Sequence, residues 1–226
     1  MSYHNPVLLH ESIDGLAIKE DGVYVDVTFG GGGHSKEILN RLGKEGKLFA
    51  FDQDPDALEN VIDDERFVLI PENFRYISRF LRFHGVRKVD GILAALGVSS
   101  HQFDEAERGF SIRFEGDLDM RMNQKSKKSA KDIINTYSEE KLAEILFLYG
   151  ELRNSRKIAR TIVHERKNKS IETSFQLKEV LKMFLPKAKE HKILAQIFQA
   201  IRIEVNEELD VLKEFLEQIP NLLKEE

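Results

Sequence analysis

Four consecutive glycines, Gly30–Gly33, follow a short apolar run in the stretch VDVTFGGGGHS, residues 25–35. A glycine-rich turn between a buried strand and a helix sets backbone amides and a helix N-terminus against a ligand, and each missing Cβ removes a barrier to close approach. Asp52 closes LFAFD, twenty residues after Gly32. A carboxylate at that spacing, at the end of the next strand, suits the hydroxyls of a ribose. No Gly-Lys-Ser/Thr follows the glycines, so the loop is not a P-loop. Positions 30, 32 and 35 read Gly, Gly and Ser, which departs from the three glycines usual in a nicotinamide site. Asp26 precedes the loop and gives D-x-T-x-G-x-G. An acid there favours S-adenosylmethionine (AdoMet), which presents an amino-acid end in place of a pyrophosphate. A dinucleotide remains the alternative, and a merely tight turn is the bland one.

These residues need a scaffold, and the first hundred positions supply one by alternation. Apolar, β-branched runs at 22–29, 47–54, 66–74 and 88–100 read as strands. Between them, 35–43, 55–62 and 77–85 carry helical spacing, with Ser35 as an N-cap, Gly43 as a C-cap and Pro55 at a first helical position. That order predicts a Rossmann-like α/β domain, a parallel sheet with helices on both faces. Residues 102–124 are irregular. Beyond about Ser129 the chain reads as helix at 138–150, 154–168, 174–186 and 192–219, the last ended by Pro220. The expected organisation is a ligand-binding domain at 1–125, a helical domain at 126–218 and a tail at 219–226.

Composition narrows the classes. The chain has 226 residues, 41% hydrophobic, with a formal charge of −5. The average conceals a segregation: residues 151–203 hold thirteen Lys/Arg against five Asp/Glu, and 204–226 hold two against eight. The basic segment includes Arg153, Arg156, Lys157, Arg160, Arg166 and Lys167, which suit a polyanion such as RNA; an ordinary solvated helix surface is the alternative. Cysteine is absent, so thiol chemistry is excluded and a reducing compartment fits. The N-terminus MSYHNPVLLHES lacks the basic and apolar regions of a signal peptide. No apolar run approaches the roughly 20 residues of a membrane span. A cytoplasmic protein with no membrane partner is expected.

Several stretches then resemble one family. HNPVLLHES, VDVTFGGGGHS, FAFDQDPDAL, VDGILAALGVSSHQFDEAERGFS, LDMRM, YGE and QAIRIEVNEEL, in this order from about residue 4 to 218, are similar to the bacterial small-subunit (16S) ribosomal RNA cytosine-N4 methyltransferases. The resemblance implies AdoMet as cofactor and 16S ribosomal RNA in the small subunit as partner. It implies that Gly32, Gly33 and His34 lie beside the methionine part and that Asp52 holds the ribose. It also implies Phe74 near the adenosine and Gln102 contacting the cofactor through its amide. No metal is implied, and no catalytic side chain is assigned. Two departures stand out. The family's Asp-Leu-Gly-Val-Ser-Ser is Ala95-Leu96-Gly97-Val98-Ser99-Ser100 here, without the carboxylate. The family also continues past FLEQIPNLLKEE with further strands, so an incomplete sheet is expected. These departures raise an alternative, a non-catalytic cofactor- or RNA-binding fragment, engineered variant or degenerate copy. An open sheet edge would admit a homodimer.

Overall fold

The computed structural model describes residues 6–225; His4 and Asn5 of the first motif lie outside the described residues. The chain folds as two compact units, one formed by Met1–Ser99 with Leu209–Glu226 and the other by Ser100–Glu208. Dividing the formal charge between them gives −8 for the first and +3 for the second.

The first unit is built on four parallel strands, β1 (Val23–Asp26), β2 (Lys47–Phe51), β3 (Phe67–Ile70) and β4 (Gly91–Leu93), in the order β3-β2-β1-β4. Side chains alternate across this sheet. Tyr24, Leu48, Ala50 and Phe67 join one core cluster, in which Ile38 and Leu39 of helix α2 (Gly33–Arg41) pack with Ile13 of α1 (Leu9–Gly15). Val25, Phe49, Phe51 and Ile70 join the other, with Ile77 and Leu81 of α3 (Ile77–Phe83) and Phe215 and Leu222 of α10 (Glu208–Leu222). Both faces are therefore buried, as a parallel sheet requires. The Rossmann-like α/β fold read from the alternation is present.

The strands are shorter than the apolar runs suggested, because each run continues into the loop that bears the site. The predicted helix at 55–62 is a 3₁₀ segment, Pro55–Asn60, capped by the Asp54 side chain. The helix predicted from Ser35 begins earlier: Gly32, at φ +74°, is its N-cap, so Ser35 lies inside the first turn. The single long helix expected at 192–219 is two, α9 (Glu190–Asn206) and α10, parted by Glu207 at φ +50°. Pro220 sits within α10 and does not end it.

The second unit holds α4 (Ser100–Asp104), α5 (Ala130–Thr136), α6 (Glu139–Leu148), α7 (Ser155–Glu165), α8 (Ser174–Val180) and α9. Its irregular stretch after Gln102 is densely tied. The Asn206 side chain donates to Met120 O and accepts from Met122 N, fixing a turn in which Met120 stands at φ +58°. Gly109 and Gly116 have no room for a Cβ, which would fall about 2 Å from the Asp117 and Ala106 carbonyl oxygens respectively. Among the described residues no helix is long and apolar enough to cross a membrane.

Candidate functional site

The strand order reverses between β1 and β4, and in open parallel sheets the ligand crevice lies outside the carboxyl ends of the strands at such a switch point. Three segments meet there: the glycine loop after β1, Asp52 after β2, and residues 94–97 after β4.

The loop is held by side chains on both sides. Asp52 accepts the Gly30 amide at 2.8 Å through one oxygen and the Asp54 amide at 2.9 Å through the other. Asn60 donates to the Gly30 carbonyl at 3.1 Å. Each Asp52 oxygen keeps a lone pair for a further donor. Burial lifts the Asp52 pKa to about 6, against the two amide bonds that favour its charge, and the neighbouring Asp54 and Asp26 add to the lift. Asp52 is only partly covered, so this costly charge still faces outward.

Beneath the loop, Asp26 is 1% exposed. One of its oxygens accepts Ser35 Oγ at 2.7 Å; the other accepts the Thr28 amide and hydroxyl at 3.0 and 3.3 Å. Thr28 Oγ1 in turn accepts the Ala95 amide at 2.8 Å. One buried carboxylate thus ties the end of β1, the first turn of α2 and the segment after β4 into one network. Burial raises its pKa, with the Ser35 bond the largest opposing influence.

Three of the four glycines have distinct reasons. Gly30 stands at φ +50°, and a Cβ there would meet only the Ser99 Cβ at 3.9 Å, an ordinary contact. Gly32 is also left-handed, and a Cβ would press on the Phe29 ring at 2.9 Å. At Gly33 a Cβ would fall 2.3 Å from Pro6 Cγ. The close approach at Gly32 and Gly33 is therefore made by the protein itself, and Gly30 is less crowded. No side chain caps α2, so the amides of its first turn can receive an anionic group.

The other expected site residues fall as follows. His34 is buried in the first turn of α2, with Nε2 3.3 Å from the Val7 carbonyl, which fixes the ring proton on that nitrogen. Phe74 is half-buried and packs edge-on against Phe215, centroids 5.2 Å apart, so at least one ring face serves the core. Gln102 belongs to the second unit, where it is buried on α4. Ala95 is exposed and presents only a methyl group. Of the basic residues, Arg153, Arg156, Lys157, Arg160 and Lys167 are exposed, and Arg160 forms a surface ion pair with Glu139. Arg166 differs: its guanidinium donates to the Ile134 and Tyr137 carbonyls at the end of α5, at 2.7 and 2.6 Å. It is a helix-terminus clamp, not a free cation.

Sequence reasoning did not single out Thr28, Asn60, Asn73 or the role of Ser35. Asn73 donates to Gln53 Oε1 at 2.8 Å and caps the turn that starts at Phe74. A polar residue at each strand's end was the available signal. A shallow concavity of about 460 Å³ lined by Leu42, Gly43, Lys44, Asp64, Glu65 and Arg66 lies at the opposite, N-terminal ends of β2 and β3. Arg66 is already paired with Asp64 there, and the concavity is no part of the site.

The AdoMet expected from the sequence fits this arrangement. A half-buried carboxylate faces outward beside Gly30, which is less crowded than Gly32 or Gly33, and uncapped helix amides lie beyond it.

Comparison with known proteins agrees with this architecture. The chain matches the MraW methylase family over residues 1–226. It is 67% identical over 224 residues to the ribosomal RNA small subunit methyltransferase H of Christiangramia forsetii, covering 99% of this chain and 74% of that one. The proteins of that name from Flavobacterium johnsoniae and Bacteroides thetaiotaomicron are 66% and 55% identical with the same coverage. The chain belongs to the MraW methylase family.

Proposed function

We propose, with that family membership as premise, that the protein transfers a methyl group from AdoMet to the N4 amine of a cytosine in 16S ribosomal RNA of the small subunit, in the cytoplasm. The observation that carries this reading is the pairing of the Gly30–Gly33 loop with the outward-facing Asp52 carboxylate at the carboxyl ends of β1 and β2, next to the β1–β4 switch point. When bound, the cofactor supplies an electrophilic methyl on a sulfonium.

The chain's own residues then bind and orient. Asp52 accepts the ribose hydroxyls, and the first-turn amides of α2 at Gly33 and His34 receive the methionine carboxylate. Phe74 offers a ring edge to the adenosine, and Gln102 supplies an amide. Asp26, through Ser35 and Thr28, keeps the loop and the segment after β4 in register, so that donor and acceptor are held in line. Arg153, Arg156, Lys157, Arg160 and Lys167 neutralise RNA phosphates; the target base is unstacked to reach the crevice.

A second reading, a binding module that does not transfer the methyl, is favoured by one observation. Ala95 is tied beside Thr28 and Asp26 at the switch point, yet has no oxygen in its side chain to accept the hydrogens of the target amine. Such an acceptor would localise the amine's lone pair. Losing one positioned electrostatic partner costs on the order of 100- to 1,000-fold in rate. Incorporation of tritium from labelled AdoMet into small subunits lacking the modification decides between the two. The first reading expects incorporation at one cytosine, lost in Asp52→Ala. The second expects binding without incorporation, and recovery in Ala95→Asp. Rapid turnover by the unchanged chain would remove any need for an acceptor at position 95.

A further inference from the structure

From Asn73 to Val89 the chain carries five Lys/Arg and no Asp/Glu. The sheet unit to which this stretch belongs totals −8, leaving −13 on the remainder. A basic run in so acidic a unit is out of keeping with an evenly solvated surface. Arg75 is committed to Glu214, with bonds of 2.8 and 2.6 Å. Among the described residues no carboxylate pairs with Arg79, Arg82, Arg87 or Lys88, although Arg82 Nε donates to the Ser78 carbonyl and Lys88 Nζ to the Leu223 carbonyl, leaving their charge unneutralised.

These cations share their surface with a large exposed ring. Phe83 ends α3 with 82% of its surface open, and it meets His84 edge-on at 5.3 Å. The inner side of the same helix is firm: Ile77 and Leu81 are fully buried, and His84 rests against Phe49 of β2 at 5.4 Å. The ring is thus presented on a rigid helix whose backbone does not need to move. An exposed aromatic ring beside guanidinium groups that no carboxylate neutralises suits unstacked bases joined by phosphates. Stacking serves any base, and the cations follow the backbone.

The position within the unit sets the role. α3 returns the chain from the carboxyl end of β3 to the amino end of β4, so Phe83, Arg87 and Lys88 lie at the end of the sheet away from the glycine loop. Strands of this length put the two ends roughly 13 Å apart. Residues there would affect docking of the RNA without touching the reacting atoms.

We propose that the outer face of α3 and the segment that follows it, with Arg79, Arg82, Phe83, Arg87 and Lys88, is a second RNA-docking surface that binds single-stranded ribosomal RNA remote from the methylated base. The proposal rests on the reading that the substrate is RNA. Its test is direct binding of small ribosomal subunits by the full chain, which needs no turnover.

Phe83→Ala should weaken binding roughly five-fold or more. The Arg82→Glu, Arg87→Glu double variant should weaken it at least ten-fold at about 0.1 M salt and lower the slope of log affinity against log salt by about two. Lys44→Glu with Lys47→Glu makes the same change of net charge elsewhere on the unit, and should leave the slope as it is. AdoMet affinity should be unchanged in all of them. Equal binding and equal slope in the α3 variants overturn the proposal. So does a loss with Phe83→Ala while the Arg82→Glu, Arg87→Glu double variant keeps the wild-type salt slope, which would mean a protein surface in place of RNA. Wild-type protein that binds subunits through α3 but transfers no methyl would leave this surface standing and reject the catalytic reading instead.

Discussion

Acidification separates the proposed role of Asp52 from simple loss of fold. The carboxylate titrates at about 6 in the folded chain, against 3.8 for the ordinary group, because burial disfavours its charge. Two ribose hydroxyls can donate to it only when it is ionised. Affinity for AdoMet should therefore be constant above pH 7 and fall by a factor of about 1 + 10^(6 − pH) below that, close to ten-fold at pH 5, or about 1.4 kcal/mol. The sign for stability is opposite. A carboxylate whose folded pKa is raised favours the folded state more as pH falls from 7 towards 4, since the folded chain then binds the extra proton. Groups whose pKa is lowered, such as Asp64 at about 2 and Asp119, begin to cost stability only below about pH 4. Between pH 7 and 5 the Asp52 contribution to stability thus rises while ligand binding weakens. Calorimetric titration with AdoMet at half-unit intervals reads the first effect, and chemical denaturation at the same pH values reads the second. Asp52→Asn should bind weakly and without this pH dependence. Its amide would also set a donor against the amide of Gly30 or Asp54. Wild-type affinity that is flat from pH 7.5 to 5, or an Asn variant that keeps the wild-type slope, would refute the assignment.

Further outcomes follow from the same contacts. Ser35→Ala removes the hydroxyl donated to the buried Asp26 and should lower stability by about 1.5–3 kcal/mol in urea denaturation; an unchanged midpoint would mean the bond contributes nothing. Arg166→Ala strips two carbonyls of their donor and should destabilise by about 1–3 kcal/mol, whereas Lys167→Ala should change stability by less than about 0.5 kcal/mol. Equal effects would erase the distinction between clamp and free cation. Met120→Gly relieves a left-handed residue but adds backbone freedom, so its effect should be within about 1 kcal/mol of zero. Asn206→Ala, by contrast, should cost about 1–3 kcal/mol by releasing the same turn.

The legible parts of this molecule were those written in local pattern. Alternating strand and helix periods gave the parallel sheet. The spacing of Asp52 from the glycines put an acid at the end of the neighbouring strand, and the structure places that acid on the Gly30 amide. What was illegible depends on contacts remote in sequence or on single backbone angles. Ser35 had the look of an N-cap, but Gly32 takes a left-handed conformation first, and Ser35 turns inward to Asp26. Apolar spacing runs unbroken through 192–219, so nothing in composition marks Glu207 as the break, whereas Pro220, the textual stop signal, is absorbed by α10. Arg166 sits in the run ERKNK and looks like its neighbours; only the end of α5, some thirty residues earlier, gives it a different task. The boundaries read at 125 and 218 stand beside compact units that divide at 99/100 and 208/209. The reason is that α10 packs its Phe215 and Leu222 onto the sheet.

That return of α10 has a consequence for how the chain is made. The face of the sheet bearing Phe49, Phe51 and Val25 is completed by residues that emerge from the ribosome only after the whole second unit. About 110 residues of the second unit are synthesised in between, which at 5–20 residues per second is a delay of roughly 5–20 s. During that interval the four strands already exist while part of their apolar face lacks its cover, and the helical unit, which is one continuous segment, can close first. The sheet unit of the nascent chain is thus still incomplete when the helical unit can already be whole. Its exposure to aggregation is set by the rate of elongation through 100–208 more than by the final stability of either unit.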